Sequence, residues 1–253
     1  MMKKTYRSGR AGILFAGDVH GRFDHIDRIV RDLGPQALVL LGDIEAPRPL
    51  AALVAPWEVC GTEVWFIPGN HDTDSEERWR HLDSLAERNL DGRVAMVAGV
   101  RIAGLGGIFR ETIWDPARPA HAPSYAAYAA QLARRTDPSH DLSAADRGRL
   151  LKHRSSIFPA VYDGLVAEHA DTLVTHEAPS CHPYGFRAID ELAQALGVAQ
   201  LFHGHHHDCQ DYRDSDVRLG FQAYGVGLRG VTDGRGQILR AGERDHDRRR
   251  SSP

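Results

Sequence analysis

The periodicity of the chain predicts an α/β fold with mostly parallel strands, and three observations carry that prediction. The first third alternates apolar runs with helical patterns in a βαβ rhythm. Its apolar runs, at 12–16, 37–41 and 64–67, are continuous rather than alternating, as in strands covered on both faces. The length of 253 residues suits a single sheet system with helices packed outside it.

The elements follow in order. Helical patterns at 23–33, 50–55 and 75–89 separate or follow the first three strands, and parallel strands joined this way imply right-handed crossovers. Residues 93–97 and 100–103 predict a hairpin around Gly99 that enters the glycine-rich run Gly104-Leu105-Gly106-Gly107. Residues 111–141 are rich in Pro, Ala, His and Arg, lack strand periodicity and precede helical patterns at 144–152 and 158–169. A strand before His176, a helix near 189–196, a strand at 198–202 and a terminal meander through 217–223, 228–231 and 237–240 complete the chain. We therefore expect one domain over 1–242, a lid-like insert at about 111–157 facing the substrate, and a charged, disordered tail at 243–253. No internal repeat or sustained heptad is present.

Composition excludes several classes of function. A net charge of −3 and a pI near 6.6 give no basic field for long nucleic acid, while small phosphate esters stay open. The cysteines Cys60, Cys181 and Cys209 have no CxxC spacing, so neither a disulfide framework nor a structural zinc site is indicated, and a reducing, cytoplasmic setting is expected. The basic N-terminus at 1–10 leads into an apolar run too short for a signal peptide, and no segment is long enough to span a membrane. The glycine run lacks the strand-GxGxxG-helix context of a dinucleotide site, and the aromatic residues form no stacking ladder.

Chemistry is concentrated at the ends of the strands. Gly17-Asp18-Val19-His20, Gly42-Asp43, Gly69-Asn70-His71-Asp72, Thr175-His176 and Gly204-His205-His206-His207 each follow an apolar stretch. Each potential ligand thus leaves the C-terminal end of a buried strand, where open α/β folds assemble their sites. Carboxylate and imidazole together suit borderline divalent ions and disfavour a calcium-only site. Asp18 and His20, two apart, point to one side of an extended segment and can grip one ion. The glycines before the ligands suggest positive φ or close backbone approach. Together these runs suggest one dinuclear centre.

The ordered set DxH, GD, GNH, a lone His and GHxH, spread from Asp18 to His207, resembles the calcineurin-like metallophosphoesterases. The resemblance implies a two-sheet β-sandwich flanked by helices, with the site at the C-terminal ends of its strands. It implies that one metal takes Asp18, His20 and His207, a second takes Asn70, His176 and His205, and Asp43 bridges them. Two such ions, roughly 3.5–4 Å apart, would activate hydroxide for in-line attack on phosphorus. Mn, Fe, Zn, Co and Ni all accept these ligands, with manganese favoured. His71 matches the family residue that protonates the leaving oxygen, and Asp72 is expected to orient it or to serve its own loop. Arg22 and Arg110 are expected to meet substrate phosphate. Among the fifteen histidines, His25, His81, His121, His140, His153, His169, His182 and His203 read as surface or packing residues, and His206 as pointing away from the metals.

Within the family, the first motif is similar to that of Ser/Thr protein phosphatases, but Gly42-Asp43-Ile44-Glu45-Ala46-Pro47-Arg48 departs from their GDxxDRG. The 99–109 segment and Gly42-Asp43-Ile44-Glu45-Ala46 are similar to RNA lariat debranching enzymes, which carry a cysteine where Asp18 stands. What this second resemblance implies is a preference for diesters, with a nucleotide or short RNA among the candidate substrates. A phosphodiesterase is therefore the expected function; the alternatives are a phosphomonoesterase, including a protein phosphatase-like one, and a non-catalytic scaffold.

Overall fold

The computed structural model describes residues 12–134 and 141–245. The N-terminal decapeptide, part of the insert and residues 246–253 of the expected tail lie outside the described residues. Strands β1 (Ile13–Ala16), β2 (Ala37–Leu41) and β3 (Glu63–Ile67) pair in parallel through helices α1 (Asp24–Leu33) and α2 (Leu50–Val59). Helix α3 (Glu76–Asp83) follows β3. The hairpin β4 (Arg93–Val97) and β5 (Val100–Leu105) then opens a second sheet. The insert carries α4 (Tyr125–Ala133) and α5 (Ala144–Lys152), and α6 (Pro159–Val166) leads to β6 (Thr172–Thr175). Helix α7 (Arg187–Leu196), β7 (Gln200–His203), α8 (Asp216–Leu219), β8 (Gln222–Gly225), β9 (Val231–Asp233) and β10 (Ile238–Arg240) complete the fold.

The result is two five-stranded sheets, in the orders β10-β9-β1-β2-β3 and β4-β5-β6-β7-β8, flanked by helices. Alternation along the central strands explains the layers. Leu14, Ala16, Leu38, Leu40, Val64 and Phe66 face α1 and α2, whereas Ile13, Phe15, Val39, Leu41 and Ile67 face the other sheet. From that sheet Ile102, Val174 and Phe202 meet them. Phe15 and Phe202 stack with centroids 3.8 Å apart and planes within 8°, joining β1 to β7 at the middle of the sandwich. The outer face of the second sheet, with Leu105, Leu173 and Leu201, packs on Ile189, Leu192 and Leu196 of α7.

Several expectations are corrected. The terminal meander is only partly present: Val217, read as the start of a strand, is 98% exposed on α8. That turn, closed by left-handed Gly220, lets β8 enter parallel to β7; only β9 and β10 form an antiparallel pair beside β1. The helix expected over 75–89 stops at Asp83, and a turn then brings Leu85 into the cluster that holds Leu82. Helix α2 runs through Pro56 to Val59, with Trp57 buried below it. Helix α4 lies in the stretch 111–141, for which the sequence indicates no element, and has Ser124 as N-cap, whose hydroxyl accepts from the Ala127 amide. Residues 243–245 form a turn rather than the start of a disordered tail, because Asp245 accepts hydrogen bonds from the amides of Gly242 (2.7 Å) and Cys209 (3.1 Å). No helix among the described residues is long and apolar enough to cross a membrane.

The Phe15–Phe202 stack makes the first testable claim. Phe202→Ala should destabilise the protein by about 3–5 kcal/mol in urea unfolding monitored by circular dichroism. A loss below about 1 kcal/mol would show that the stack is not an essential part of the core.

Candidate metal centre

Five strands of the two sheets release the chain within one to three residues of a ligand expected from the sequence: β1 before Asp18, β2 before Asp43, β3 before Asn70, β6 before His176 and β7 before His205. Hydrogen bonds between the sheets tie these ends together. His176 Nδ1 donates to the Leu41 carbonyl (2.8 Å), and the His205 amide donates to both Asp18 oxygens (3.0 and 3.1 Å). Close backbone approach explains Gly69, where a Cβ would lie 2.2 Å from the Asp43 nitrogen. Among the four glycines before ligands, only Gly42 has positive φ (93°).

Among the described residues, the non-glycine residues with left-handed backbone are mostly the candidate ligands. Asp18, His20, Asp43, Glu45, His205 and His207 have φ between 40° and 72°. Paired side chains at i and i+2 therefore converge through strained loops, not through the period of an extended segment. Each such residue costs about 1–3 kcal/mol, held in place by the surrounding structure.

The donors gather into two groups that share one carboxylate. Asp18, His20, Asp43 and His207 each offer an atom within 4.8 Å of the others, as do Asp43, His176 and His205. Asn70 joins the second group, its Oδ1 lying 3.2 Å from His176 Nε2. His20 and His207 face each other with Nε2 atoms 3.0 Å apart. His176 holds Leu41 through Nδ1 and His20 holds the Glu45 carboxylate through Nδ1, so each keeps Nε2 for a metal in a fixed orientation. Carboxylate and amide oxygens with imidazole nitrogens, converging without thiolate, fit two divalent transition ions.

Burial sets the charge balance. It pushes the Asp18 carboxyl up to about 7 despite the opposing pull of His176. Burial would also raise Asp43, but the His176 imidazole beside it (3.4 Å) holds that carboxyl low, and Asp43 in turn raises His176 against its own burial. Burial lowers His205 to about 2, with His176 adding to the effect, and lowers His207 to about 4 with help from His20. The two imidazoles are therefore neutral at any ordinary pH.

Asp72 does not orient His71. Its fully buried carboxylate accepts from the amides of Gly69 (2.8 Å) and Glu45 (2.7 Å), bracing two ligand loops against each other. The partner of His71 is Asp74, with Nδ1 and Oδ2 2.9 Å apart, three residues on along the short 3₁₀ helix Asn70–Thr73. Arg78 joins Asp74 (3.4 Å) to Glu45 (2.7 Å), so ionic contacts run unbroken from His20 to His71. Glu45 and Asp74 were not singled out in the sequence. The available signals were the spacing of Glu45 from Asp43, which repeats that of His20 from Asp18, and the position of Asp74 one turn after His71.

Arg22 is exposed on the turn after His20, its amide bonded to the Val19 carbonyl. Arg110 instead lines a cleft of about 480 Å³ that also contains Asn70 and Asp74. His206 stacks on buried His182, 3.9 Å between centroids. Glu177, a further residue the motifs do not mark, forms a third grouping with His205 and His206; burial raises its carboxyl to about 7.

The sequence matches the calcineurin-like phosphoesterase family over residues 11–209. It is similar to an uncharacterized protein of Haemophilus influenzae, 36% identical over 235 residues, covering 90% of this chain and 96% of that protein. The fold is similar to the crystal structure of TT1561 from Thermus thermophilus, with a TM-score of 0.51 and 14% identity over 91% of this chain and 97% of the other; at that identity the likeness is one of fold alone.

Proton competition at the centre is measurable. Asp18, with its raised carboxyl, and His176, with its raised imidazole, must both lose protons before they bind a cation. Metal affinity should therefore fall as pH drops below about 10, where His176 takes up its proton, and more steeply below about 7, where Asp18 does so too, by roughly tenfold per pH unit for each proton displaced. Titration of metal-stripped protein with Mn²⁺ at several pH values checks the sign, and an affinity independent of pH would contradict it.

Proposed function

The chain belongs to the calcineurin-like phosphoesterase family and is thus a metal-dependent phosphoric ester hydrolase, and from that premise we propose that it is a phosphodiesterase. Asp18, His20 and His207 hold one divalent ion, Asn70, His176 and His205 a second, and Asp43 serves both. When bound, the ions polarise a phosphoryl oxygen and lower the pKa of water toward neutrality.

The His71–Asp74 pair carries this reading. Asp74 holds Nδ1 and leaves Nε2 to deliver a proton to the departing oxygen. The His71 amide also donates to Asp43 Oδ1 (2.8 Å), fixing the acid relative to the ligands. Burial alone would lower this imidazole, but the bond to Asp74 and the charge of Asp43 outweigh it and raise its pKa. His71 therefore stays protonated to higher pH, as a general acid requires.

Charge supports a diester over a monoester. Asp18, Asp43, Glu45, Asp72 and Asp74 surround the centre, while Arg78 is engaged by two of these carboxylates. A diester carries one negative charge and a monoester close to two at neutral pH; with the two ions offset against Asp18 and Asp43, the remaining acids Glu45 and Asp74 penalise the diester less. None of the three cysteines is in a disulfide, which supports placing the reaction in the cytoplasm.

Manganese-loaded protein should hydrolyse bis-p-nitrophenyl phosphate faster than p-nitrophenyl phosphate, and chelator should abolish both. The opposite preference would replace the proposal with a phosphomonoesterase; no turnover of either would favour a scaffold. His71→Ala should reduce kcat on the order of 10²–10⁴-fold. Asp74→Asn should leave metal content unchanged and move the basic limb of the kcat profile to lower pH, because His71 then loses its proton earlier. An unmoved limb would remove Asp74 from the mechanism.

A further inference from the structure

The cleft beside Asn70 holds a cation that the fold leaves short of partners. Arg110 Nε is buried and accepted by no atom, and the guanidinium's one side-chain contact is Nη2 to Ser155 Oγ at 3.3 Å. Glu177, the acid that acts most strongly on Arg110, is itself engaged by the Phe109 amide (3.0 Å). Among the described residues no carboxylate lies within ion-pairing distance of Arg110. A largely buried guanidinium without a counter-charge is costly, and its planar fork matches a phosphate.

The cleft extends from this cation to the insert. Exposed Lys152 of α5 lines it, adding a second positive charge. Gly148 lines it too, although glycine inside a helix is unfavourable, and a Cβ there would meet nothing within 4 Å. The missing side chain keeps the cleft wide. Ser155, the hydroxyl that steadies Arg110, is bonded to Thr73 Oγ1 (2.7 Å), which fixes the guanidinium in place. Asn70 is the only expected metal ligand on its wall, and Asp74, partner of the proton-donating His71, stands next to it.

We propose that this cleft is a subsite for a second anionic group, so that the preferred substrate is a phosphoester that carries a further phosphate. The inference rests on the phosphodiesterase reading above: Asn70, expected to hold one of the ions that bind the phosphoryl group, lines the cleft, so the rest of a bound ester reaches into it. Arg110 and Lys152 bind the distal phosphate, while the phosphoryl group that is cleaved stays with the ligands around Asp43. The insert thereby selects substrates by charge at a distance from the bond that breaks.

Two measurements test this. In the first, metal-stripped protein is titrated calorimetrically with thymidine, thymidine 3′-monophosphate and thymidine 5′-monophosphate. At least one nucleotide should bind roughly tenfold tighter than the nucleoside, and Arg110→Gln should erase the difference. Gly148→Glu, which places a carboxylate in open space on α5, should do the same with an unchanged circular dichroism spectrum. Equal binding of nucleoside and nucleotides by the wild type, or a difference that survives in both variants, overturns the subsite. In the second, loaded enzyme is compared on the dinucleotide TpT and on its doubly end-phosphorylated form, pTpTp. The wild type should favour pTpTp in kcat/KM, and the preference should collapse toward unity in Arg110→Gln; a preference unaltered by the substitution overturns the proposal. Failure of the phosphodiesterase reading looks different: neither dinucleotide is cleaved, while the binding difference in metal-stripped protein persists and still supports an anion subsite.

Discussion

The Asp43 carboxylate, 1% exposed at the end of β2, is the constraint around which the rest of the centre is arranged. An ionised carboxylate at that depth is tolerable only beside positive charge or hydrogen-bond donors. His176 lies against one oxygen, which also accepts the His71 amide, and His20 stands 4.0 Å from the other. One acid therefore belongs to both donor groups and ties loops of both sheets to one point. A divalent pair held there would resolve the same problem more fully, because its charge would meet Asp18 and Asp43 together.

The sandwich makes such a point sustainable. Left-handed ligands on three loops carry strain that exposed turns of their own could not hold. Parallel strands below them are paired residue for residue, Ala37↔Glu63 through Leu41↔Ile67 in one sheet and Thr172↔Gln200 through Thr175↔His203 in the other. The stacked rings of Phe15 and Phe202 join the sheets beneath the centre, so the loops start from a rigid platform.

Division of labour among carboxylates follows from where each can reach. Asp18 and Asp43 turn toward the imidazoles, Asp72 toward backbone amides, and Glu45 and Asp74 toward His20 and His71, with Arg78 between them. Moving Asp18, Asp43, Glu45 or Asp74 would alter the ring each faces, its tautomer or its charge. The insert adds the opposite sign, with Lys152 lining the same cleft as Arg110.

Much of the protein was legible before any coordinates. Asp18, His20, Asp43, Asn70, His176, His205 and His207 declared themselves because metals accept few side-chain types and because parallel strands deliver their C-terminal residues to one edge. Continuous apolar runs likewise marked the central strands, since burial on both faces removes alternation. Other features depended on contacts that local pattern does not encode. Asp72 and Asp74 have the same chemistry and lie two residues apart, and only the turn of the 3₁₀ helix decides which reaches His71 and which braces the backbone. Arg22 and Arg110 were equal candidates until packing left one exposed and the other lining the cleft. Val217 resembled a strand residue because apolarity shows what a side chain prefers, not whether the fold has room to bury it. The sequence by itself therefore determined the chemical inventory and the strands that carry it, because both depend on residue type and spacing along the chain. Tertiary structure alone decided which acid serves which histidine, which cation meets the cleft and how the last strands enter the sheets, because these are choices among chemically equal residues made by distance.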